Sequence, residues 1–325
     1  MVIDKPELSN CSKIAAGIWN PVVFKRLTKS WMADDVLPVM LKFYKKYQDL
    51  SSEIFLTDRN IVKLFSEQQE IELWRKKSTG ELNTYLDKTI YQTHPSLNLK
   101  INELGFSKVL SCGNLDVNAF LNYSRNYLKA QNSFLEERFD HDSLSVLETI
   151  SYKTLVASNI IFAEGHLIKN NPFFSYIPTK PAKGEIISFA TNDLGTGNEI
   201  INKNGFLMRI KIDEYKMGAT YSWDDQTDIP TKEGLKQLET KLKKMIDVPY
   251  AITQHQAGVR PSVIDRRPIL GIHPTYKNIF VFNGLGTKGV MLAPYFAEHM
   301  AQYLQKKIKL IPEVDVARFN KFFVN

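Results

Sequence analysis

Cysteine is the scarcest reactive residue in this chain: Cys11 and Cys112 are the only two among 325 residues, accompanied by six scattered histidines. They form no CxxC, HExxH or other ligand spacing, so no metal centre is expected and the thiols read as small reduced hydrophobes. No Ser-His-Asp or Cys-His arrangement points to nucleophilic catalysis. Long apolar runs are absent too: Ile160-Ile-Phe-Ala163 and Val290-Met-Leu-Ala-Pro294 fall far short of the roughly 20 residues that span a bilayer. The start, Met1-Val-Ile-Asp4, lacks a basic region followed by an apolar block, which does not fit a secretory signal and makes a cytoplasmic location the expectation. No repeat, low-complexity tract or Gly/Ser/Pro-rich linker divides the chain, so two domains, if present, are interwoven.

What is present is the composition of a folded protein: 43% hydrophobic residues, and 42 Lys+Arg against 35 Asp+Glu for a net charge of +7. The densest basic spots, Lys241-Leu-Lys-Lys244 and Lys306-Lys-Ile-Lys309, fall at predicted helix ends and read as solvated faces, so a nucleic-acid partner is not expected. Apolar residues recur at helical spacing from Asp34 to Leu50 through Leu37, Met40, Leu41, Tyr44 and Tyr47, with Pro38 in the first turns. Ser66 and Gln69 have the spacing of a capping box for a second helix reaching about Lys77. Asp116 caps a third that buries Phe120, Leu121, Tyr127 and Leu128, and Thr231 opens a fourth through Met245. Strands are predicted at Leu144–Tyr152, Asn159–Ala163, Glu185–Phe189, Leu207–Ile212 and Asn278–Phe282. The alternation predicts a mixed α/β protein.

The most informative stretch runs from His255 to Pro294. A strand ends at Asn283 and meets three glycines in six residues, Gly284, Gly286 and Gly289, before helical periodicity takes over from Val290 to Lys306. Such a turn lets backbone N–H groups approach a ligand and aims a helix N-terminus at it, which suits an anionic or electron-rich group; the same turn also occurs with no ligand. Arg260 sits between Val259 and Pro261 in a charge-poor segment. It either holds a carboxylate through two parallel hydrogen bonds or forms a structural ion pair with Asp265. His255 and His273 flank this segment and read as structural histidines.

These residues resemble a known family. Ala257-Gly-Val-Arg-Pro261 with Asp265, Pro268 and Gly271, followed by Gly284-Leu-Gly-Thr-Lys-Gly289 and Leu292-Ala-Pro294, is similar to the C-terminal signature of FAD-dependent oxidoreductases of the D-amino-acid oxidase and glycine oxidase type. Shorter stretches agree: Ser12 to Pro21, containing Ala16 and Gly17, resembles the segment that passes close to the flavin. Ala163-Glu-Gly165 resembles the turn near the dinucleotide, Lys183-Gly-Glu185 a strand start, and Gly218-Ala-Thr220 a strand of the substrate domain. There is one departure. Such proteins begin with a strand, a GxGxxG turn and a helix that bind the FAD pyrophosphate, and an acid after the second strand takes the ribose. Met1-Val-Ile-Asp4 looks like that second strand, with Asp4 its acid; on this alignment roughly 30 residues of the βαβ unit are missing, and the chain as written is expected to hold FAD weakly.

The resemblance implies FAD as cofactor and oxidation of a small amine or amino acid by hydride transfer to flavin N5. It implies that the backbone at Gly286, Thr287, Lys288 and Gly289 stabilises charge on the reduced ring and that Arg260 anchors the substrate carboxylate. The Lys288 side chain is either a cation beside the flavin or, as preferred here, one that points to solvent. Tyr221 and Trp223 line a substrate pocket or belong to ordinary core. The implied fold is a Rossmann-like FAD-binding domain without its first strand, from residues 1–30, 113–170 and 255–325, interwoven with an antiparallel-sheet substrate domain from residues 31–112 and 171–254. Two other readings stand beside it: a non-catalytic remnant without FAD, and a flavoprotein acting on a modified tRNA base.

Overall fold

A computed structural model describes residues 1–5, 11–94, 96, 98–101 and 104–324. The chain order begins β1 (Val2–Ile3), α1 (Cys11–Ile14), β2 (Ile18–Trp19), the hairpin β3 (Val22–Val23) and β4 (Thr28–Lys29), α2 (Ala33–Ser51), β5 (Leu56–Asp58), β6 (Ile61–Leu64) and α3 (Gln68–Ser78). It continues with β7 (Phe106–Val109), β8 (Gly113–Leu115), α4 (Val117–Ala130), β9 (Phe134–Leu135), β10 (Leu144–Val146), β11 (Ile150–Tyr152), β12 (Leu155–Ala157) and β13 (Ile160–Phe162). The rest is β14 (Ala182–Ala190), β15 (Ile200–Asn202), β16 (Phe206–Lys211), β17 (Glu214–Gly218), α5 (Lys232–Lys243), β18 (Ala251–Arg260), β19 (Ile269–Ile272), β20 (Ile279–Asn283) and α6 (Gly289–Leu304). The mixed α/β expectation holds.

The largest sheet has seven strands in the order β18-β14-β17-β16-β15-β6-β7. It is antiparallel except where β15 runs parallel to β6; the hairpins β15-β16 and β16-β17 require two of the antiparallel pairs. One face packs Ile187, Phe189, Leu207, Tyr215 and Met217 against Leu238 and Leu242 of α5. Near β6 and β15, Ile61, Ile200 and Met208 join a second core with Val36, Leu37, Met40 and Tyr44 of α2 and Met291, Leu292 and Phe296 of α6. Each large apolar side chain buried there contributes about 1.5–3 kcal/mol. A separate sheet has the order β13-β20-β19, with β13 parallel to β20, and a third core of Phe162, Phe174, Ile279 and Val281 packs around it. Val2 and Ile3 pair in parallel with Phe134 and Leu135.

Three expectations are corrected. Residues 144–152 are not one strand: the chain reverses after Val146, so β10 pairs antiparallel with β11 and β11 with β12. The capping box at Ser66 is displaced; Glu67 is the cap residue, the helix starts at Gln68, and the Glu70 carboxylate accepts from the Ser66 N–H at 2.7 Å. Tyr127 is exposed, because α4 lies on the surface and fully buries none of its residues. The Asp116 and Thr231 caps stand as expected, their side chains accepting from the N–H groups of Ala119 and Gly234.

Candidate functional site

The glycine turn has the predicted form. β20 ends at Asn283, Gly284 and Gly286 both take positive φ, and a 3-10 turn over Gly286–Lys288 leads into α6 at Gly289. Positive φ is what a side chain resists, so the spacing of these glycines is a backbone requirement. β20 and β13 are parallel neighbours, which brings Ala163 and Gly165, just past the end of β13, beside the turn. Asn283 ties the two together: its Nδ2 donates to the Gly165 carbonyl at 2.9 Å. The Gly286 N–H donates to the Pro261 carbonyl at 3.2 Å, so the turn is also bonded to the residue after Arg260. Thr287 is exposed. This is the crevice beyond the carboxyl ends of parallel strands where α/β proteins place ligands.

Arg260 closes β18. Its Nη1 and Nη2 donate to the carbonyls of Lys183 and Thr220 at 3.2 and 3.4 Å, and the guanidinium lies 4.8 Å over the Tyr221 ring. Gly184 makes room for it, since a Cβ there would lie 2.0 Å from Nη2. Burial lowers the Arg260 pKa, and no carboxylate pairs with it among the described residues. Asp265 is engaged elsewhere, with Arg318 Nε at 2.8 Å, which removes the ion-pair alternative. Tyr221 stays 47% exposed and packs against Trp223 at 4.8 Å between ring centroids. A half-buried guanidinium with two neutral acceptors and no counter-charge among the described residues is chemically prepared for an anion.

Lys288 overturns its expectation. The side chain does not point to solvent; its ammonium donates to Ser30 Oγ at 2.6 Å and the Asn20 carbonyl at 3.1 Å. No carboxylate pairs with it among the described residues, and burial lowers its pKa to about 8. This bond draws the segment containing Ala16 and Gly17 toward the turn. Gly17 has φ +67°, and a Cβ there would strike the Leu115 carbonyl oxygen at 1.9 Å, so its role in the chain path is structural in the first instance. Cys11 and Ile14 of α1 lie against Gly258 of β18. Asp4 alone is not drawn in: its carboxylate pairs with Arg125 of α4 at 3.4 Å.

Sequence reasoning missed several participants. Asn20, Ser30 and Asn283 carry no spacing signal, and only the fold shows that they fasten the turn. Lys183, matched as a strand start, is 1% exposed and reaches Asp225 Oδ2 at 2.5 Å as well as the Ile229 carbonyl. His255 has Nε2 2.7 Å from Glu185 Oε2, although its N–H is not aimed at that oxygen. His273 is structural as expected, its Nδ1 accepting from the Thr275 and Tyr276 N–H groups.

Of the features a flavin site needs, Gly165 leaves open space where a side chain would stand and Lys288 offers a half-buried cation at a helix N-terminus, while the N–H groups of Gly284, Gly286 and Lys288 are already taken by Asn283 Oδ1 and by the Pro261 and Leu285 carbonyls. Among the described residues there is no cluster of side chains able to hold a metal ion, and no helix is long and apolar enough to cross a membrane.

Residues 1–303 match the family described as DAO, FAD dependent oxidoreductase. The chain is 25% identical over 182 residues to glycine oxidase from Bacillus subtilis, a match covering 52% of this chain and 49% of that protein. It is also 25% identical over 181 residues to the tRNA 5-methylaminomethyl-2-thiouridine biosynthesis bifunctional protein of Idiomarina loihiensis, covering 51% of this chain and 29% of that one. The chain thus spans about half or less of the length of these relatives. In fold it is similar to glycine oxidase from Geobacillus kaustophilus, with a TM-score of 0.76 at 19% identity over 98% of this chain and 90% of that one. Iminodiacetate oxidase from Chelativorans gives 0.72 at 15% over 95% and 90%. The match along nearly the whole sequence establishes that the chain belongs to the DAO family of FAD dependent oxidoreductases.

Proposed function

We propose that this protein is an FAD-dependent oxidoreductase that oxidises a small amine or amino acid. The observation that carries the reading is Arg260, a half-buried guanidinium free of any carboxylate partner among the described residues and bonded through its neighbour Pro261 to the glycine turn. Bound FAD supplies the two-electron acceptor. Arg260 orients the substrate by its carboxylate, with Tyr221 stacked on the far side of the guanidinium as a wall of the pocket. Gly284, Gly286, Thr287 and Gly289, with Ala16, Gly17, Ala163 and Gly165, form the cofactor cradle, and the ammonium of Lys288 favours negative charge that develops beside it. Asp4 is the proposed ribose ligand, which requires it to leave Arg125 or to share it. Residues 1–30, 113–170 and 255–325 form the cofactor-binding part, and 31–112 with 171–254 the substrate part.

The test is the visible spectrum of the purified protein after incubation with FAD and gel filtration, for the 325-residue chain and for a form extended to any in-frame upstream start. Flavin bands in either form, with turnover in an amine screen, are expected. Arg260→Ala is expected to keep the bands and lose roughly 100-fold in kcat/KM for carboxylate-bearing amines, the equivalent of about 3 kcal/mol. Absence of flavin from both forms overturns the proposal in favour of a non-catalytic remnant.

A second reading is favoured by the Idiomarina relative and the net charge of +7: a substrate amine carried on a modified tRNA base. Strongly salt-dependent tRNA affinity would select it over a free amine.

A further inference from the structure

β13 ends at Phe162, and Ala163-Glu164-Gly165 leads into a 3-10 turn over Gly165–Asn170. Six residues are many for this form, which seldom runs past three or four because its hydrogen bonds are poorly aligned. Both ends of the turn are tied to other parts of the site. The Gly165 carbonyl accepts from Asn283 Nδ2, and Lys169 Nζ donates to Gln226 Oε1 at 2.7 Å, in the loop that follows Tyr221 and Trp223. Gly165, His166 and Ile168 line one small crevice together with Pro261, Ser262 and Gly284. The path of this turn therefore sets where Gly165 stands relative to the glycine turn and to the segment after Arg260.

Glu164 fastens the turn. Its carboxylate does not cap the residues that follow it; Oε2 instead accepts from Asn171 Nδ2 at 2.6 Å, closing the chain from one end of the turn to the other. Oε1 lies 3.0 Å from His141 Nε2, which belongs to the short turn His141–Ser143 before β10. Asn171 is fully buried, and its Oδ1 accepts from the N–H groups of Phe173 and Phe174 at 2.8 and 3.1 Å, so its amide is engaged through both ends. The His141 ring is held in turn by Phe139, edge-on at 5.2 Å, and by Phe162, stacked at 5.7 Å. Burial raises the Glu164 pKa, opposed by the Asn171 and His141 contacts. An apolar side chain would stand here without that desolvation cost, so what the carboxylate supplies is a fixed geometry.

We propose that Glu164 is a positioning residue for the cofactor: by joining Asn171 and His141 it fixes the path of residues 165–170 and with it the place of Gly165 at the crevice. The inference rests on the FAD reading and adds to it a residue that acts through Gly165. The clamp joins two segments that the pairing of β13 with β20 does not hold, since that pairing stops at Phe162 and Val281. Loosening it therefore frees the turn and leaves the strands in register. The bond to Asn171 needs an acceptor at the end of a side chain of this length, which glutamine retains and alanine lacks.

The test has two readouts on the full chain. Without ligand, amide hydrogen exchange across residues 166–174 is expected to accelerate by about tenfold or more in Glu164→Ala while β13 and β20 stay protected, and to remain within about twofold of wild type in Glu164→Gln. FAD affinity, read by fluorescence titration, is expected to fall by about tenfold or more in Glu164→Ala and to recover in Glu164→Gln. His141→Leu is expected to weaken FAD binding less and to add nothing in the Glu164→Ala background, because it acts through that carboxylate; alone, it serves should Glu164→Ala fail to fold. Ile71→Ala opens a core cavity in α3 and lowers stability, yet is expected to leave FAD affinity unchanged. Unchanged exchange in Glu164→Ala overturns the clamp. Faster exchange with unchanged FAD affinity overturns the positioning role, as does an equal loss of affinity in Ile71→Ala. Wild-type protein that takes up no FAD overturns the FAD reading and the cofactor role with it, and the exchange result then still decides the clamp.

Discussion

Lys288 shows how one side chain's path changes a chemical assignment. A lysine two residues after a glycine, at a turn, has every local reason to point outward; only the approach of Asn20 and Ser30 from another part of the chain supplies acceptors that turn it inward. The cost of burying the charge appears as a pKa near 8, against about 10.4 for an unfolded lysine. The sign follows: below pH 8 both states are protonated and the folded state carries the full penalty. As pH rises from about 8 toward 10 the folded lysine deprotonates first, the unfolded state binds more protons, and stability rises. Chemical denaturation at pH 7.5 and pH 10 is therefore expected to show wild-type stability gaining relative to Lys288→Met, which lacks the titrating group. A wild-type-minus-variant difference that stays flat across this range would contradict the buried-cation geometry. Arg260 teaches the converse. Its spacing left an ion pair with Asp265 open, and the alternative closed only when Arg318 was found holding Asp265.

Elements whose signals are local formed where the chain's own chemistry places them. Asp116 accepts from the Ala119 N–H at 3.0 Å, satisfying a donor the first turn of α4 leaves free, and because α4 buries none of its residues fully that cap matters more than in a helix held by packing. Asp116→Ala is expected to lower stability by about 1 kcal/mol without altering the core, checked by urea denaturation; a change under a few tenths would mean that packing against β9 carries the helix. Where the local signal was weaker, the element changed. Residues 144–152 are mostly β-branched or apolar, with Glu148 the one charged residue at the reversal, and exposed Leu147, 78% accessible, sits at the turn where a polar residue is usual. Tyr127 fits the helical stripe of α4, yet it stays 48% exposed, with the ring of Tyr123 6.3 Å away on the same helix.

At the level of the whole molecule, β14 organises the Arg260 edge of the seven-stranded sheet. Eight of its nine residues are buried, among them Lys183 and Glu185, and Lys183 holds the segment after Tyr221 and Trp223 through Asp225, Thr227 and Ile229. Lys183→Met removes those bonds while keeping side-chain length. Amide hydrogen exchange across residues 223–230 is expected to accelerate by about tenfold or more while β14 itself stays protected, the pattern of a local rather than global opening. Unchanged protection in the loop would show that its aromatic contacts suffice. The sequence alone carried the helical and strand periods, the caps at Asp116 and Thr231, the glycine spacing at residues 284–289 and the family resemblance of residues 257–294, because each is written in neighbouring residues or in a contiguous signature. It carried neither the inward turn of Lys288, nor the separation of Arg260 from carboxylates among the described residues, nor the meeting of Asn283 with Gly165. Those depend on which strands become neighbours across the sheets, and a side chain's partners, burial and pKa are properties of the space that distant segments enclose.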